Sequence, residues 1–398
     1  MNDQHALASA STAGLQDSLP GRIEAGTAAR PRPFYRPELD VLRFFAFLGV
    51  YVVHIVDYPI EFLEQHHVPH ALAQVVMALA TGGAYGVDVF FILSAYLITE
   101  LLLREKETMG HLNVPAFYLR RLLRIWPLYY VALLIAAYVP FFNPTGEFAP
   151  RYVTAFLLFM GNWSFVWFGW ITSVAVPLWS VSVEEQFYLF WPPVVARLSR
   201  RGIAYAAALM ILLANGTRLL AAAMHEGKEH LWGNTFAHLD SIAAGILLAL
   251  WLGGKSLSLR QPQRYALIVF GLLCFGIRGH YRIIPGGDEL SLLGTLVGYN
   301  ALVAGAIAIM VAFIGMPLRS ATLQYLGKIS YGLYVYHLGC ILVMDRFFIM
   351  DPGVLHAVLR VFVAFAFTVA VSAVSYAVIE KPFLNLKRRF TFVESRSV

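Results

Sequence analysis

Residues 41–58 read VLRFFAFLGVYVVHIVDY, an apolar stretch interrupted by Arg43, His54 and Asp57. Its length is close to that of a membrane-spanning helix, which needs roughly 20 residues. Ten further runs follow, at 84–103, 125–141, 152–167, 178–196, 203–224, 236–252, 265–277, 292–314, 329–349 and 355–379. The run at 265–277 is the shortest, and its ends are the hardest to place. Across all 398 residues the chain is 59% hydrophobic and 14% charged, with mean hydropathy +0.64. A soluble domain carries about 25% charged residues, so this surface cannot all face water. The composition excludes a string of soluble domains and predicts one all-α polytopic membrane domain.

Basic residues orient the runs, because cytoplasmic loops collect Lys and Arg. Arg30, Arg32, Arg36 and Arg43 place the N-terminus inside, and the connection at 59–83, which lacks Lys and Arg, lies outside. Arg104, Lys106, Arg120, Arg121 and Arg124 return the chain to the cytoplasm, and Arg197, Arg200 and Arg201 mark the inner end of the run at 178–196. Both placements hold only if 152–167 does not cross. That run is expected to be re-entrant or interfacial, with Trp163, Trp167 and Trp170 at headgroup depth. The remaining connections alternate, except that Arg278 and Arg282 fall outside. The expectation is ten transmembrane helices plus one re-entrant or interfacial segment, with both termini cytoplasmic. Residues 1–33 are expected to form a disordered cytoplasmic tail, 34–384 the membrane domain and 385–398 a short basic tail. The tail after Ile379 is too short for an appended soluble domain.

The 30 Lys and Arg against 24 Asp and Glu lie between apolar runs and not along one soluble face, which argues against a nucleic-acid partner. Cys274 and Cys340 lie inside apolar runs and offer neither a disulfide framework nor a metal spacing. His66, His67 and His70 read as a solvated outer loop, so no metal site is expected.

Ionisable residues inside a membrane are costly and mark function. Arg43 and His54 are eleven positions apart, about three helical turns and 16.5 Å, so they project from one face. Glu184 and Glu185 lie six or seven residues from the outer end of their run. By that count they match the depth of His54, where a carboxylate can hold an imidazole in one tautomer. Asp88 and Asp240 stand four or five residues inside the outer ends of theirs and suit either a sugar hydroxyl or a helix cap. Arg121 and Arg124 share a helix face, and paired guanidinium groups bind phosphate; positive-inside anchoring is the plainer alternative.

Seven stretches in order resemble the acyltransferase-3 family of membrane-bound acyltransferases. They are Glu38-Leu-Asp-Val-Leu-Arg through His54, Gly86-Val-Asp-Val-Phe-Phe-Ile-Leu-Ser-Ala-Tyr-Leu, Arg121-Leu-Leu-Arg-Ile-Trp-Pro-Leu-Tyr-Tyr, Trp179-Ser-Val-Ser-Val-Glu-Glu-Gln-Phe-Tyr, Leu239-Asp240 with Gly245, Leu326-Gly-Lys-Ile-Ser-Tyr-Gly-Leu-Tyr-Val-Tyr-His and Glu380-Lys-Pro-Phe. One departure is Ala95, where the family usually has Gly after Ser94.

The resemblance implies a multi-pass enzyme of the bacterial inner membrane. Its donor would be cytoplasmic acyl-coenzyme A, usually acetyl-CoA, a substrate and not a bound cofactor. Its acceptor would be a hydroxyl of a glycan, a lipid-linked sugar or a secreted oligosaccharide. Arg43, Arg121 and Arg124 would hold the donor, His54 would act as general base and Glu184 would orient it. Asp88, Trp179, Glu185, Asp240, Tyr331, Tyr334 and His337 would line the cavity or meet the acceptor. Two rival readings are a proton-coupled transporter of a glycan or small solute, opposed by the missing inverted repeat, and a non-catalytic membrane scaffold.

Overall fold

A computed structural model describes residues 35–56, 60–280, 292–318, 320–348, 353–387 and 390. The expected tail at 1–33, Arg282, Arg319 and most of the basic tail at 385–398 lie outside the described residues. All regular structure among the described residues is helical. The first helices are α1 (Pro37–Ile55), α2 (Ile60–Gln65), α3 (His70–Gly82), α4 (Gly86–Met109) and α5 (Val114–Tyr138). Next come α6 (Pro150–Leu157), α7 (Gly161–Phe168), α8 (Leu178–Arg197), α9 (Arg200–Ala223), α10 (Lys228–Gly233) and α11 (Leu239–Leu252). The chain continues through α12 (Gln261–His280), α13 (Leu292–Phe313), α14 (Ala321–Lys328), α15 (Ser330–Phe348), α16 (Val354–Ser375) and α17 (Lys381–Lys387).

Local chemistry explains several boundaries. Gly110 ends α4 at φ 75°, a left-handed conformation that glycine adopts without strain. Three residues later the Asn113 side chain accepts from the Ala116 N–H at 3.0 Å and starts α5. Ser199 and Ser320 cap α9 and α14 in the same way.

Six helical stretches are long and apolar enough to cross a membrane by length and composition. They are His70–Met109, Val114–Tyr138, Arg200–Ala223, Thr235–Leu252, Leu292–Phe313 and Leu355–Lys387. Ala321–Lys328 with Ser330–Phe347 makes a seventh if the 71° bend between them falls within one span. These criteria support six spans, or seven with the bent pair, and do not reach the expected ten. α1, α8 and α12 have 19, 20 and 20 residues but carry ionisable side chains that dilute their hydropathy. The run at 152–167 resolves into α6 and α7, of eight residues each. Each rises about 12 Å, too short to cross alone. α3, by contrast, is a helix inside the stretch read as an outer loop.

α4 sits among α1, α8, α11 and α13. Small residues permit the closest approaches: a Cβ on Gly86 would collide with the Ala46 carbonyl of α1, and one on Gly245 with the Ile92 carbonyl of α4. At the far end of α4, Lys106 Nζ donates to the carbonyls of Val195 (2.8 Å), Ala196 (3.1 Å) and Leu198 (3.0 Å). A cation there satisfies the last carbonyls of α8 and complements its dipole. Trp191 Nε1 donates to Thr99 Oγ1 at 2.9 Å one turn further along the pair. On the periphery, α9 exposes Tyr205, Leu209 and Leu212, and α16 exposes Leu355, Phe362 and Val374. Apolar faces of this extent suit lipid, not water.

Candidate active site

A cavity opens among α1, α4, α5, α8 and α15. From α1 it takes Asp40 and Arg43, from α5 Arg121 and Arg124, and from α15 Tyr331 and Tyr334. α4 adds Phe90, Phe91 and Ser94, and α8 adds Ser180, Glu184 and Tyr188. The three arginines singled out in the sequence are therefore brought together at one wall.

Their partners differ. Arg43 is paired with Asp40 at 2.6 Å on its own helix. Arg120 turns away to Glu105 (2.8 Å) and the Phe390 carbonyl (3.0 Å), a structural tie. Arg121 packs its guanidinium over the rings of Phe117 (5.4 Å) and Tyr188 (5.7 Å). Its buried Nε has no hydrogen-bond partner, and Glu184 and Glu185 act on it only through electrostatic attraction, without a salt bridge among the described residues. A guanidinium held against aromatic faces, lining a cavity and engaged in no salt bridge, suits an anion.

Glu184 lies deeper. Its Oε1 accepts from Ser94 Oγ at 2.9 Å and its Oε2 from the Tyr188 hydroxyl at 2.8 Å. The Tyr188 hydroxyl also lies 3.0 Å from Ser94 Oγ, closing a three-member polar ring between α4 and α8. Glu185, one residue on and about 100° around the helix, faces α5 and accepts from Trp126 Nε1 at 2.9 Å. It does not line the cavity.

His54 is not held by Glu184. Both Glu184 oxygens have the partners just named, and His54 has His337 beside it, whose Nε2 lies 3.3 Å from His54 Nδ1. The expected match in depth fails for a simple reason. α1 ends at Ile55, so His54 is in its last turn, whereas Glu184 lies six residues into α8, about 9 Å from that helix's end. Hydrogen bonds to carbonyls, which only accept, assign both tautomers. His54 Nδ1 donates to Val50 O (2.8 Å) and His337 Nδ1 to Tyr334 O (2.7 Å). His337 Nε2 is then an acceptor facing the His54 N–H, and in the neutral His54 ring Nε2 carries the lone pair. Neither histidine lines the cavity.

The remaining predicted residues divide. Tyr331 donates to the Ile125 carbonyl at 3.0 Å, and the Tyr334 hydroxyl lies 2.7 Å from Ser180 Oγ. Trp179 is buried against Phe91, Trp232 and His238, outside the cavity. Asp240 is committed to Arg218, at 2.5 and 2.7 Å, with both side chains almost fully buried. The Arg218 guanidinium also lies 4.0 Å over the Tyr299 ring. Asp88 accepts from Ser241 Oγ at 2.8 Å and lies 3.7 Å from His238 Nδ1. The two aspartates thus belong to a second buried cluster on the α9–α11 side of α4. Sequence reading missed Arg218, although it interrupts the apolar run at 203–224 and the rule for intramembrane charge applies to it. Ser94, Ser180 and Tyr188 carried no such signal, because hydroxyls in apolar helices are common.

A bundle of long helices with apolar faces outward and a cation-lined polar interior defines a polytopic helical membrane protein. The chain belongs to the acyltransferase-3 family: that family's model, described as an acyltransferase domain, matches residues 36–377. It is similar to a Staphylococcus aureus (strain MSSA476) protein provisionally named an O-acetyltransferase, with 26% identity over 373 residues, 88% of this chain and 57% of the relative. YrhL of Bacillus subtilis (strain 168), provisionally named a peptidoglycan O-acetyltransferase, is 28% identical over 374 residues, 87% of this chain and 55% of the relative. The peptidoglycan O-acetyltransferase OatA of Listeria monocytogenes is 26% identical over 378 residues, 87% and 56% respectively. The chain therefore spans a little over half the length of these relatives. No solved structure matches it.

Proposed function

We propose that this protein moves an acyl group, most simply acetyl, from cytoplasmic acyl-CoA to a hydroxyl of a glycan across a bacterial inner membrane. The observation that carries the reading is Arg121, a guanidinium with no salt bridge and an unpaired Nε that lines the same cavity as Arg43 and Arg124. The phosphates of the donor would neutralise that wall, and the pantetheine arm would extend toward Ser94 and Tyr334. The topology that goes with it has ten spans and both termini cytoplasmic. It counts α1, α8 and α12 with the seven apolar spans and leaves α6 and α7 as a re-entrant segment. In α1 and α8, the polar residues that lower hydropathy are the ones that build the site.

In the transfer, the acceptor oxygen attacks the thioester carbonyl carbon while His54 Nε2 takes the hydroxyl proton. The C–O bond forms, the C–S bond breaks, and the proton passes to the departing thiolate to give free CoA and the ester. His337 Nε2 supports the developing imidazolium as a second, more distant acceptor for the Nδ1–H that Val50 O already accepts. Glu184 fixes the hydroxyls of Ser94 and Tyr188 along the donor path. The names of the relatives make peptidoglycan the first acceptor to try.

Membranes carrying the full chain and given acetyl-labelled acetyl-CoA should place label on envelope polysaccharide or a lipid-linked glycan. Label no higher than in membranes lacking the chain would sink the reading, and gradient-driven solute uptake would point to a carrier. Arg121→Ala and Arg124→Ala should each raise KM for acyl-CoA about tenfold, with a smaller change in kcat, because each removes a charge-assisted contact made before the transition state. An unchanged KM in both variants would place the donor elsewhere.

A further inference from the structure

The cavity has a blind end. On each of three helices the lining stops at a definite residue: Phe90 on α4, Ser180 on α8 and Tyr334 on α15. One turn beyond Tyr334 stands His337, and against it His54. On α15, a layer of side chains that includes Tyr334 therefore stands between the cavity and His337. Its two rings meet edge to face, Phe90 to Tyr334, with centroids 5.6 Å apart and planes at 71°. The Tyr334 side of the layer is fixed: its hydroxyl is bound to Ser180 Oγ at 2.7 Å, and its far side packs on the His337 ring, 5.8 Å between centroids.

We infer that Phe90 and Tyr334 form an acyl-length filter and determine that the enzyme transfers acetyl in preference to longer acyl groups. The inference rests on the donor assignment above. A thioester carbonyl entering from the arginine wall must reach this layer to meet a hydroxyl activated by His54, so the acyl chain is the part of the donor that presses on the two rings. Packed interiors yield poorly to added methylenes. A methyl group needs one small displacement of the Phe90 ring, whereas a propyl chain needs space that the Ser180-bound tyrosine does not release.

The test uses the full chain in membranes with acetyl-, propionyl- and butyryl-CoA, read as ratios of kcat/KM. Discrimination of about tenfold per methylene is expected for the natural protein, and Phe90→Ala should shrink the acetyl-to-butyryl ratio about tenfold or more. Ser180→Ala, which releases the Tyr334 hydroxyl without opening a large void, should shift the ratio in the same direction. Phe90→Leu should do so more weakly and stands in if the alanine variant fails to accumulate. Ratios in these variants equal to that of the natural protein would overturn the filter while leaving acetyl transfer and its donor intact. Natural protein that uses butyryl-CoA as well as acetyl-CoA would overturn it too. Transfer from none of the three donors would overturn the donor assignment itself, and the filter with it.

Discussion

Replacing His54 with alanine should lower glycan acylation by about 10²–10⁴-fold, the usual contribution of a positioned general base. The protein should still insert and accumulate, because His54 lies in the last turn of α1 and is only half-buried. The tautomer assignment sharpens the expectation. With the proton on Nδ1 directed at Val50 O and near His337 Nε2, Nε2 is the basic nitrogen of the neutral ring. His337→Ala should therefore cost less, on the order of tenfold, the worth of one supporting hydrogen bond. His337→Gln, which keeps an acceptor, should recover part of that loss. Initial rates of label transfer, normalised to protein in the membrane, decide the matter. Near-normal rates for His54→Ala would remove the imidazole from the chemistry.

The largest effect on stability should come from Arg218→Met. Arg218 and Asp240 are 1% and 3% exposed at their side chains and share two short hydrogen bonds. Removing one member strands a carboxylate in an apolar interior, at a cost of about 3–5 kcal/mol. Thermal unfolding in detergent should register this as a markedly lower midpoint. The double variant Arg218→Met with Asp240→Leu removes both charges and should regain most of the loss. Because Asp240 lies outside the central cavity, the double variant should also keep its acyl transfer. Loss of transfer in a well-folded double variant would return Asp240 to acceptor binding. A single variant as stable as the natural protein would mean that the carboxylate finds another partner.

Much of this fold is written in the spacing of apolar runs, since every backbone polar group inside lipid must be satisfied within a helix. The charge rule separated 152–167 from the spanning runs, and the chain there breaks into two eight-residue helices. α3 escaped because its 13 residues are too few to span. At the site, residue types were legible and pairings were not. A charge or imidazole in an apolar run is conspicuous, but its partner depends on how each helix is rotated. Glu184 and Glu185 are neighbours in sequence and face different helices. Counting from run ends put His54 level with Glu184; the true end of α1 comes three residues earlier than the run suggested, and His337 takes the place expected of the carboxylate.

The hydrogen bonds described between α4 and α8 run from Ser94–Glu184 through Thr99–Trp191 to the Lys106 amine on the last carbonyls of α8. Toward the opposite end, Phe91 meets Trp179 through ring contact alone. The two helices are thus riveted along one stretch and merely touching along the other, like tweezers whose spring is at the arginine end. Any breathing of the pair would therefore be larger at the Phe90 end than at the Lys106 end. On the proposed function, such a lever would let the far side admit an acceptor while the arginine side stays closed.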